Sequence, residues 1–290
     1  MTTPDMSTTP GASATAHRLP VPGATLHYET RGTGPALLLL PGAGGDAAVL
    51  DPVADALADT FTVITHDPRG YSRSARDAPD SEQRVAEHAE DARRLLDAVS
   101  PDAPAYVAGS SSGAIVTLDL LARFPGRVRA AVAHEPPSWS VLPDAAEHLA
   151  LFQEVYETLE AEGLAAAGER FLRGVGPVML PPPDSEGAPA PRTAEMMRRL
   201  AANAPSAIRH EFRSFAAYDP DLAALSRFAG RLTLAVGEQT LPHLPSRPAT
   251  VLAGELGLAP APFPGAHNGW STHPGRTAAL LRSHLLGDTR

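Results

Sequence analysis

Three consecutive serines occupy the stretch Gly-Ser-Ser-Ser-Gly at residues 109–113, between an apolar run and a helical pattern. Gly109, Ser111 and Gly113 satisfy the pattern G-x-S-x-G, which is typical of a nucleophilic serine on a sharp turn from a strand into a helix. Such a turn needs small neighbours, because a Cβ atom on either flank would clash with nearby main chain. The alternative is a serine-rich turn that caps a helix. We favour a nucleophile at Ser111, because further elements of the same chemistry are present.

Two main-chain N–H groups are candidates for stabilising the oxyanion that forms when a serine attacks a carbonyl. The N–H of Ser112 directly follows the nucleophile and is expected to point toward the developing charge. The second donor is predicted in the glycine-rich loop 41–45, where the N–H of Ala43 is the candidate. Glycines let such a loop turn its amides toward a substrate, and a flexible turn without a function is the alternative.

The general base is predicted to be His267. It lies in the sequence Pro-Gly-Ala-His-Asn-Gly-Trp at residues 264–270, just after the last predicted strand and before the last predicted helix. A loop at this place can put an imidazole over Ser111. The chain has eleven histidines, so most of them must have other roles. His273, which precedes Pro274, is more typical of a helix cap.

Two carboxylates are candidates for the acid that orients the imidazole and stabilises its charged form. Glu238 lies in the turn Gly-Glu-Gln-Thr at 237–240, where the strand pattern resumes late in the chain. Glu135 lies in His-Glu-Pro-Pro at 134–137, at the end of the strand after the nucleophile helix. The carboxyl ends of strands open into the crevice that holds the site in open α/β sheets. We therefore favour Glu135 and keep Glu238 as the alternative acid.

Short apolar runs alternate with helical patterns along most of the chain. This rhythm predicts an α/β fold with a mostly parallel central sheet flanked by helices. Strands are predicted over residues 25–29, 36–40, 61–66, 105–109, 128–134, 232–236 and 259–263, and helices over 81–99, 113–123 and 276–286. Pro260 and Pro262 restrict the last strand to an edge of the sheet. Residues 67–74, Asp-Pro-Arg-Gly-Tyr-Ser-Arg-Ser, are predicted to brace the floor of the site without reacting.

The strand rhythm stops between residues 137 and 228, where helical patterns at 145–162 and 193–203 have no strand between them. This predicts a helical cap, 137–228, inserted into a core formed by residues 19–136 and 229–290. The proline-rich stretch 177–192 predicts a loop at the mouth of a pocket. Trp139 in the cap and Trp270 beside the candidate base are candidates for substrate contacts, although such aromatic residues more often only pack a core.

Composition narrows the class of protein. The chain has 290 residues, 43% of them hydrophobic and 20% charged, as in one large folded domain. A net charge of −9 without a basic stripe argues against a nucleic-acid partner, and the absence of cysteine excludes thiolate catalysis. Residues 1–18 predict a disordered tail. No secretory leader and no run of about 20 apolar residues is present, so we expect a cytoplasmic protein with no membrane partner.

Together these motifs resemble the α/β-hydrolase superfamily and, more narrowly, the zearalenone lactonases. The narrower resemblance lies in Gly-Ser-Ser-Ser-Gly-Ala at 109–114, His-Glu-Pro-Pro at 134–137, Val-Gly-Glu-Gln-Thr at 236–240, Pro-Gly-Ala-His at 264–267 and Ser-Thr-His-Pro at 271–274. Most of the superfamily has an aspartate in a G-x-x-D turn after the cap, whereas the lactonases have a glutamate after the strand that follows the nucleophile. The resemblance therefore implies Ser111, Glu135 and His267 as the catalytic triad.

The motifs and the resemblance lead to one expected function. We expect the chain to be a serine hydrolase that cleaves a carboxylic ester or lactone of a small hydrophobic molecule through an acyl-enzyme. No cofactor and no metal are expected. Two alternatives stay open: carbon–carbon bond hydrolysis or cofactor-free oxygenation by the same triad, and a ligand receptor without catalysis. The oligomeric state is also open, a homodimer included.

Overall fold

The computed structural model describes residues 13–176 and 191–287. Its strands are β1 Thr15–Val21, β2 Ala24–Arg31, β3 Ala36–Leu40, β4 Thr62–His66, β5 Ala105–Ser110, β6 Val128–His134, β7 Leu232–Gly237 and β8 Ala261–Phe263. They form one sheet in the order β1-β2-β4-β3-β5-β6-β7-β8. β2 pairs antiparallel with β1 and β4, and all other pairs are parallel. The predicted α/β fold with a mostly parallel sheet is confirmed.

Helices flank both faces of this sheet and fill the connection between β6 and β7. They are α1 Asp51–Leu57, α2 Val85–Val99, α3 Ser112–Arg123, α4 Ala145–Glu162, α5 Leu164–Val175, α6 Pro191–His210, α7 Phe212–Ala216, α8 Leu222–Ser226, α9 Arg247–Glu255, α10 Gly269–Thr272 and α11 Pro274–Leu286. Short 3₁₀ turns cover Ala47–Leu50, Pro125–Arg127, Trp139–Val141, Ala229–Arg231 and Leu244–Ser246. None of the helices in the described ranges is long and apolar enough to cross a membrane.

The central strands are buried on both faces, which explains their continuous apolar runs. All five residues of β3 are buried. Leu38 and Leu40 pack into the core on one face, with α2 and α3, while Leu37 and Leu39 pack with α1 and α11 on the other. Alternate side chains therefore anchor helices on opposite faces. β8, with Pro262 in its middle, pairs only at the edge of the sheet, as predicted.

The predicted disordered tail is wrong for its last residues. Residues 15–18 belong to β1, which pairs along its whole length with β2. His17 stacks on the ring of Tyr28 at 4.8 Å and contacts the hydroxyl of Thr30 at 3.0 Å. Most side chains of this strand are exposed or half-buried, so main-chain pairing holds it and the apolar pattern that identifies other strands is missing. Residues 1–12 of that prediction lie outside the described residues.

The long connection between β6 and β7 forms a helical insertion with its own small apolar core. α6 begins at Pro191 and continues through Pro205 to His210, so it is longer at both ends than the predicted helix 193–203. Pro191 and Arg192 were predicted to be loop but open this helix, because proline is well tolerated in the first turn. Residues 177–190 of the predicted loop lie outside the described residues.

Candidate active site

Ser111 lies on the sharp turn between β5 and α3, with φ of 56° and ψ of −125°. A positive φ is unusual for a residue that carries a side chain and holds local strain. Glycines make the turn possible: a Cβ on Gly109 would lie 2.1 Å from the carbonyl oxygen of Gly113, and one on Gly113 would lie 2.3 Å from that of Leu40. The N–H of Ser111 donates to the carbonyl of His134 at 2.9 Å. The turn leaves Ser111 in the wall of a large cavity.

His267, in the loop after β8, is paired with a carboxylate that follows a different strand. Its Nδ1 lies 2.7 Å from Oε2 of Glu135, the residue directly after β6. Glu135 is fully buried and has a φ of 48°. Its other oxygen accepts hydrogen bonds from the N–H of Gly237, at 2.8 Å, and from the hydroxyl of Thr240. The carboxylate is thus held at both oxygens, and its bond to Nδ1 leaves Nε2 as the nitrogen that can accept a proton.

The charge state of Glu135 is set by opposing effects. Burial raises the pKa of its carboxyl, but the hydrogen bond and charge of His267, together with His134 and the Thr240 hydroxyl, lower that pKa to about 2. His134 is also buried, and burial lowers the pKa of its imidazole to about 4. Around neutral pH, Glu135 is therefore charged and His134 is neutral.

The low pKa of Glu135 predicts a pH dependence of folding stability. Its pKa falls from the ordinary 4.5 to about 2 in the folded protein. The stabilisation is therefore fully present above the ordinary value and is lost as the pH falls toward the folded value. We expect the unfolding free energy of Glu135→Gln, measured with urea from neutral to acid pH, to fall less steeply below pH 4.5 than that of the wild type. Equal slopes in the two proteins would contradict the assignment.

Glu238, the alternative acid, lies elsewhere. Its side chain is 47% exposed, and its nearest cation is Arg276, whose guanidinium lies 3.6 Å from Oε1. Its main-chain N–H donates to Phe263 at 2.8 Å, where it belongs to the turn after β7. The structure therefore brings Glu135 to His267 and leaves Glu238 at the surface. His273 is the cap residue of α11.

The two predicted oxyanion donors lie beside Ser111. Ala43 and Ser112 line the same cavity as Ser111. The loop approaches the elbow closely, since a Cβ on Gly42 would lie 3.1 Å from the Cβ of Ser111. Gly45 closes the loop by donating its N–H to the carbonyl of Gly42 at 3.0 Å. Ser112 is the first residue of α3, so its N–H is free of helix bonding and sits at the positive end of the helix dipole.

A cavity of about 1040 Å³ lies between the sheet edge and the helical insertion. The elbow, Glu135 and His267 form part of its wall. Aromatic side chains of the insertion face the same space; they are Trp139, Phe152, Phe171, Phe212 and Phe215. This volume is large enough to enclose a drug-sized molecule.

The α/β hydrolase fold family is matched by residues 35–240, which is most of the chain. The chain belongs to the α/β-hydrolase family. It is 34% identical over 259 residues to the uncharacterised hydrolase YraK of Bacillus subtilis, a match that covers 88% of this chain and 90% of that one. The predicted superfamily is therefore confirmed, and the chain is a hydrolase of this family.

Two further comparisons bear on the α/β-hydrolase assignment. The chain is 38% identical over 119 residues to the zearalenone hydrolase of Bionectria ochroleuca, covering 40% of this chain and 45% of that protein. The crystal structure of a hydrolase from Pseudomonas aeruginosa superposes with a TM-score of 0.70 at 25% identity, over 94% of this chain and 98% of that one. The zearalenone hydrolase is thus a partial homologue, and the fold extends over nearly the whole chain.

The two tryptophans singled out in the sequence both line the α/β-hydrolase cavity but are largely buried. Trp139 packs edge-on against Phe152 at 4.6 Å, and Trp270 lies 6.0 Å from the ring of His134. A second set of cavity residues is charged: Asp51, Asp55 and Arg192. In the parts of the chain that the structure covers, no group of three histidines or carboxylates is arranged to hold a metal ion.

The residues that hold Glu135 were not predicted from the sequence. Thr240 and Gly237 are in the turn that was considered for its glutamate, yet their role is to donate to the carboxylate of Glu135. The available signal was the combination of a hydroxyl residue and a glycine in the turn after β7, next to the strand that carries Glu135. In the segment 67–74, which was predicted to brace the floor of the site, Arg69 forms two 2.7 Å hydrogen bonds to Asp91 of α2.

Proposed function

We propose that this α/β-hydrolase is a serine hydrolase that cleaves a carboxylic ester or lactone of a hydrophobic small molecule through an acyl-enzyme. The observation that carries the proposal is the 2.7 Å contact between Nδ1 of His267 and the buried carboxylate of Glu135, in a cavity that Ser111 shares. A buried carboxylate with a depressed pKa is suited to stabilise an imidazolium next to it. A serine at the elbow directs the chemistry toward acyl transfer.

The reaction begins when the hydroxyl of Ser111 attacks the substrate carbonyl while Nε2 of His267 takes the proton. Charge that develops on the carbonyl oxygen is received by the N–H groups of Ala43 and Ser112. The carbon–oxygen bond to the leaving alcohol then breaks, and His267 returns its proton to that oxygen. Water, deprotonated by the same imidazole, attacks the acyl-enzyme, releases the acid and restores Ser111.

The aromatic wall supports a hydrophobic substrate. Trp139, Phe152 and Phe212 present apolar surface to the cavity from the helical insertion, opposite the sheet edge. Pockets of this kind bind through apolar contact and use few polar groups to fix orientation. The similarity to a protein named zearalenone hydrolase is consistent with a small-molecule substrate. The cytoplasmic location and the homodimer stay predictions of the sequence.

A fluorophosphonate tests the proposal directly. We expect intact-mass analysis to find one covalent adduct on the wild type and none on Ser111→Ala, because an activated serine hydroxyl displaces fluoride from phosphorus and an unactivated one does not. A folded wild type that takes up no adduct would overturn the acyl-enzyme proposal and favour the receptor alternative.

A substrate panel separates the reactions that the same residues could perform. Esters yield two products, whereas a lactone yields one hydroxy acid heavier by one water, because the leaving oxygen stays attached to the acyl group. Diketones that are cleaved between carbons would favour carbon–carbon hydrolysis, and consumption of dioxygen would favour oxygenation. Product analysis by mass spectrometry on this panel identifies which bond is broken.

A further inference from the structure

A cluster of buried polar side chains lies next to the oxyanion loop and plays no part in the proton transfers described above. Tyr71, Gln83, His88 and Glu211 are each at most 7% exposed. His88 contacts Gln83 at 2.6 Å, and the hydroxyl of Tyr71 donates to Glu211. Burying a carboxylate is costly unless it is well hydrogen-bonded, so Glu211 calls for an explanation.

Glu211 shares a small cavity with Ser112, one predicted oxyanion donor, and with Gly42, the neighbour of the other. Glu211, Tyr71, Gly42 and Ser112 all line one small cavity of about 20 Å³. Burial raises the pKa of the Glu211 carboxyl above its ordinary value, although Tyr71, the hydroxyl of Ser112 and the N–H of Gly44 partly oppose that rise. One carboxylate from the helical insertion is therefore close to both halves of the predicted oxyanion hole.

Gly44 is held from its other side by the same insertion. Asn203 of α6 donates from its side-chain amide to the carbonyl of Gly44, at 2.9 Å, and its oxygen accepts the N–H of Ser72 at 3.0 Å. α6 also packs closely here, because a Cβ on Gly44 would lie 3.4 Å from that of Ala207. Gly44 has a φ of 66°, and the hydrogen bond from Asn203 to its carbonyl ties this position to the insertion.

The backbone conformation of Gly44 matters because this residue follows Ala43 directly, and its N–H belongs to the peptide group that joins the two residues. Rotating the peptide group between Ala43 and Gly44 changes the backbone angles of Ala43 and so changes the direction of the Ala43 N–H. Ser112 supplies the other donor, and its hydroxyl is near Glu211 as well. A donor that is misplaced by a small distance loses most of its value for a developing oxyanion.

We infer that Glu211, together with Asn203, is a positioning residue of the oxyanion hole, so that the helical insertion, and not the sheet alone, sets the geometry of transition-state stabilisation. The inference rests on the proposed serine-hydrolase function. It makes the insertion part of the catalytic machinery in addition to a wall of the cavity. It also explains why a carboxylate and an amide are buried at the junction between the insertion and the core.

The test compares two inhibitors with the same hexyl chain, a trifluoromethyl ketone and a methyl ketone. The first adds to the serine and forms an oxyanion, and the second binds without one. For Glu211→Gln and Asn203→Ala we expect kcat on p-nitrophenyl hexanoate to fall about 10- to 100-fold with KM changed less than about 3-fold. The Ki of the trifluoromethyl ketone should rise by a similar factor, and that of the methyl ketone should stay constant.

Asp144→Asn is the matched control. It breaks another polar link between the insertion and the core, the pair with Arg247 at 2.8 Å, without touching the elbow or the oxyanion loop. We expect this variant to keep the wild-type response to both ketones. Tyr71→Phe, which removes the hydroxyl donor to Glu211, replaces Glu211→Gln in the test if that variant fails to fold. We expect it too to lower kcat and to raise the Ki of the trifluoromethyl ketone.

Equal losses of affinity for both ketones, or kcat unchanged in the folded variants, would overturn the positioning role. Fluorophosphonate labelling of the wild type runs beside these assays. A wild type that is labelled at Ser111, with variants that respond to both ketones alike, refutes the inference and leaves the serine-hydrolase proposal standing. A wild type that takes no label refutes both.

Discussion

Ser111→Ala is expected to lower kcat by about ten thousand- to a million-fold, with KM nearly unchanged. In the proposed mechanism the hydroxyl oxygen of Ser111 forms the acyl-enzyme, and no neighbour can replace it on the strained turn at φ of 56°. Residual hydrolysis would come from the oxyanion donors and the cavity alone. Steady-state kinetics on p-nitrophenyl hexanoate, with the protein concentration set by active-site titration of the wild type, measures the effect.

Ser110→Ala is the matched control, because it removes a hydroxyl one position away. The Ser110 hydroxyl lies 3.4 Å from Nδ1 of His134, a buried histidine that the mechanism does not use. We expect kcat of this variant to stay within about 3-fold of the wild type. Comparable losses in Ser110→Ala and Ser111→Ala would mean that the elbow was merely distorted, and would remove the support for Ser111 as the nucleophile.

The elbow could be predicted from the sequence because its cause is local. Gly109 and Gly113 are needed wherever a chain turns this sharply, and the apolar run of β5 and the helical pattern of α3 adjoin them. His267 was found for a related reason, since it follows β8 and precedes the last helices. Short-range patterns are sufficient here because each residue is positioned by the strand directly before it.

Contacts between distant segments could not be predicted in this way. Tyr71 and Glu211 are 140 positions apart, and no pattern in the sequence near either residue predicts that they form a hydrogen bond. The same holds for Asn203. In the sequence it is an ordinary polar residue of an amphipathic helix, and only the packing of α6 against the oxyanion loop shows that it contacts Gly44. β1 was missed for a different reason, because its side chains are mostly exposed and only main-chain pairing defines it.

The candidate acid Glu135 could be predicted only in part from the sequence. Glu135 was favoured because it ends a strand, but its reach depends on the order of the sheet, in which β7 lies between β6 and β8. Its carboxylate extends past the end of β7, where Gly237 and Thr240 donate to it, and meets His267 beyond. The strand order explains why a residue on β6 can serve an imidazole that follows β8.

Glu135→Gln is expected to lower kcat by about a thousand- to ten thousand-fold. The amide is nearly the same size, so the side chain can still occupy its place between Gly237 and His267. It carries no charge to stabilise the imidazolium, however, and its NH₂ group can face Nδ1 and favour the wrong tautomer. Stopped-flow measurement of acylation by p-nitrophenyl hexanoate should show the loss in the first step, with KM little changed.

Glu238→Gln separates the two candidate acids, because it makes the same chemical change on the turn after β7. Its side chain is 47% exposed and faces Arg276 at 3.6 Å, so losing its charge affects only a surface pair, and kcat should stay within about 3-fold of the wild type. A large loss in Glu238→Gln with little change in Glu135→Gln would place the acid on the turn after β7. A large loss in Glu135→Gln with little change in Glu238→Gln would mean that the acid is the residue after β6, one strand nearer the nucleophile. Thr240, in the turn after β7, would then serve to hold that acid in place.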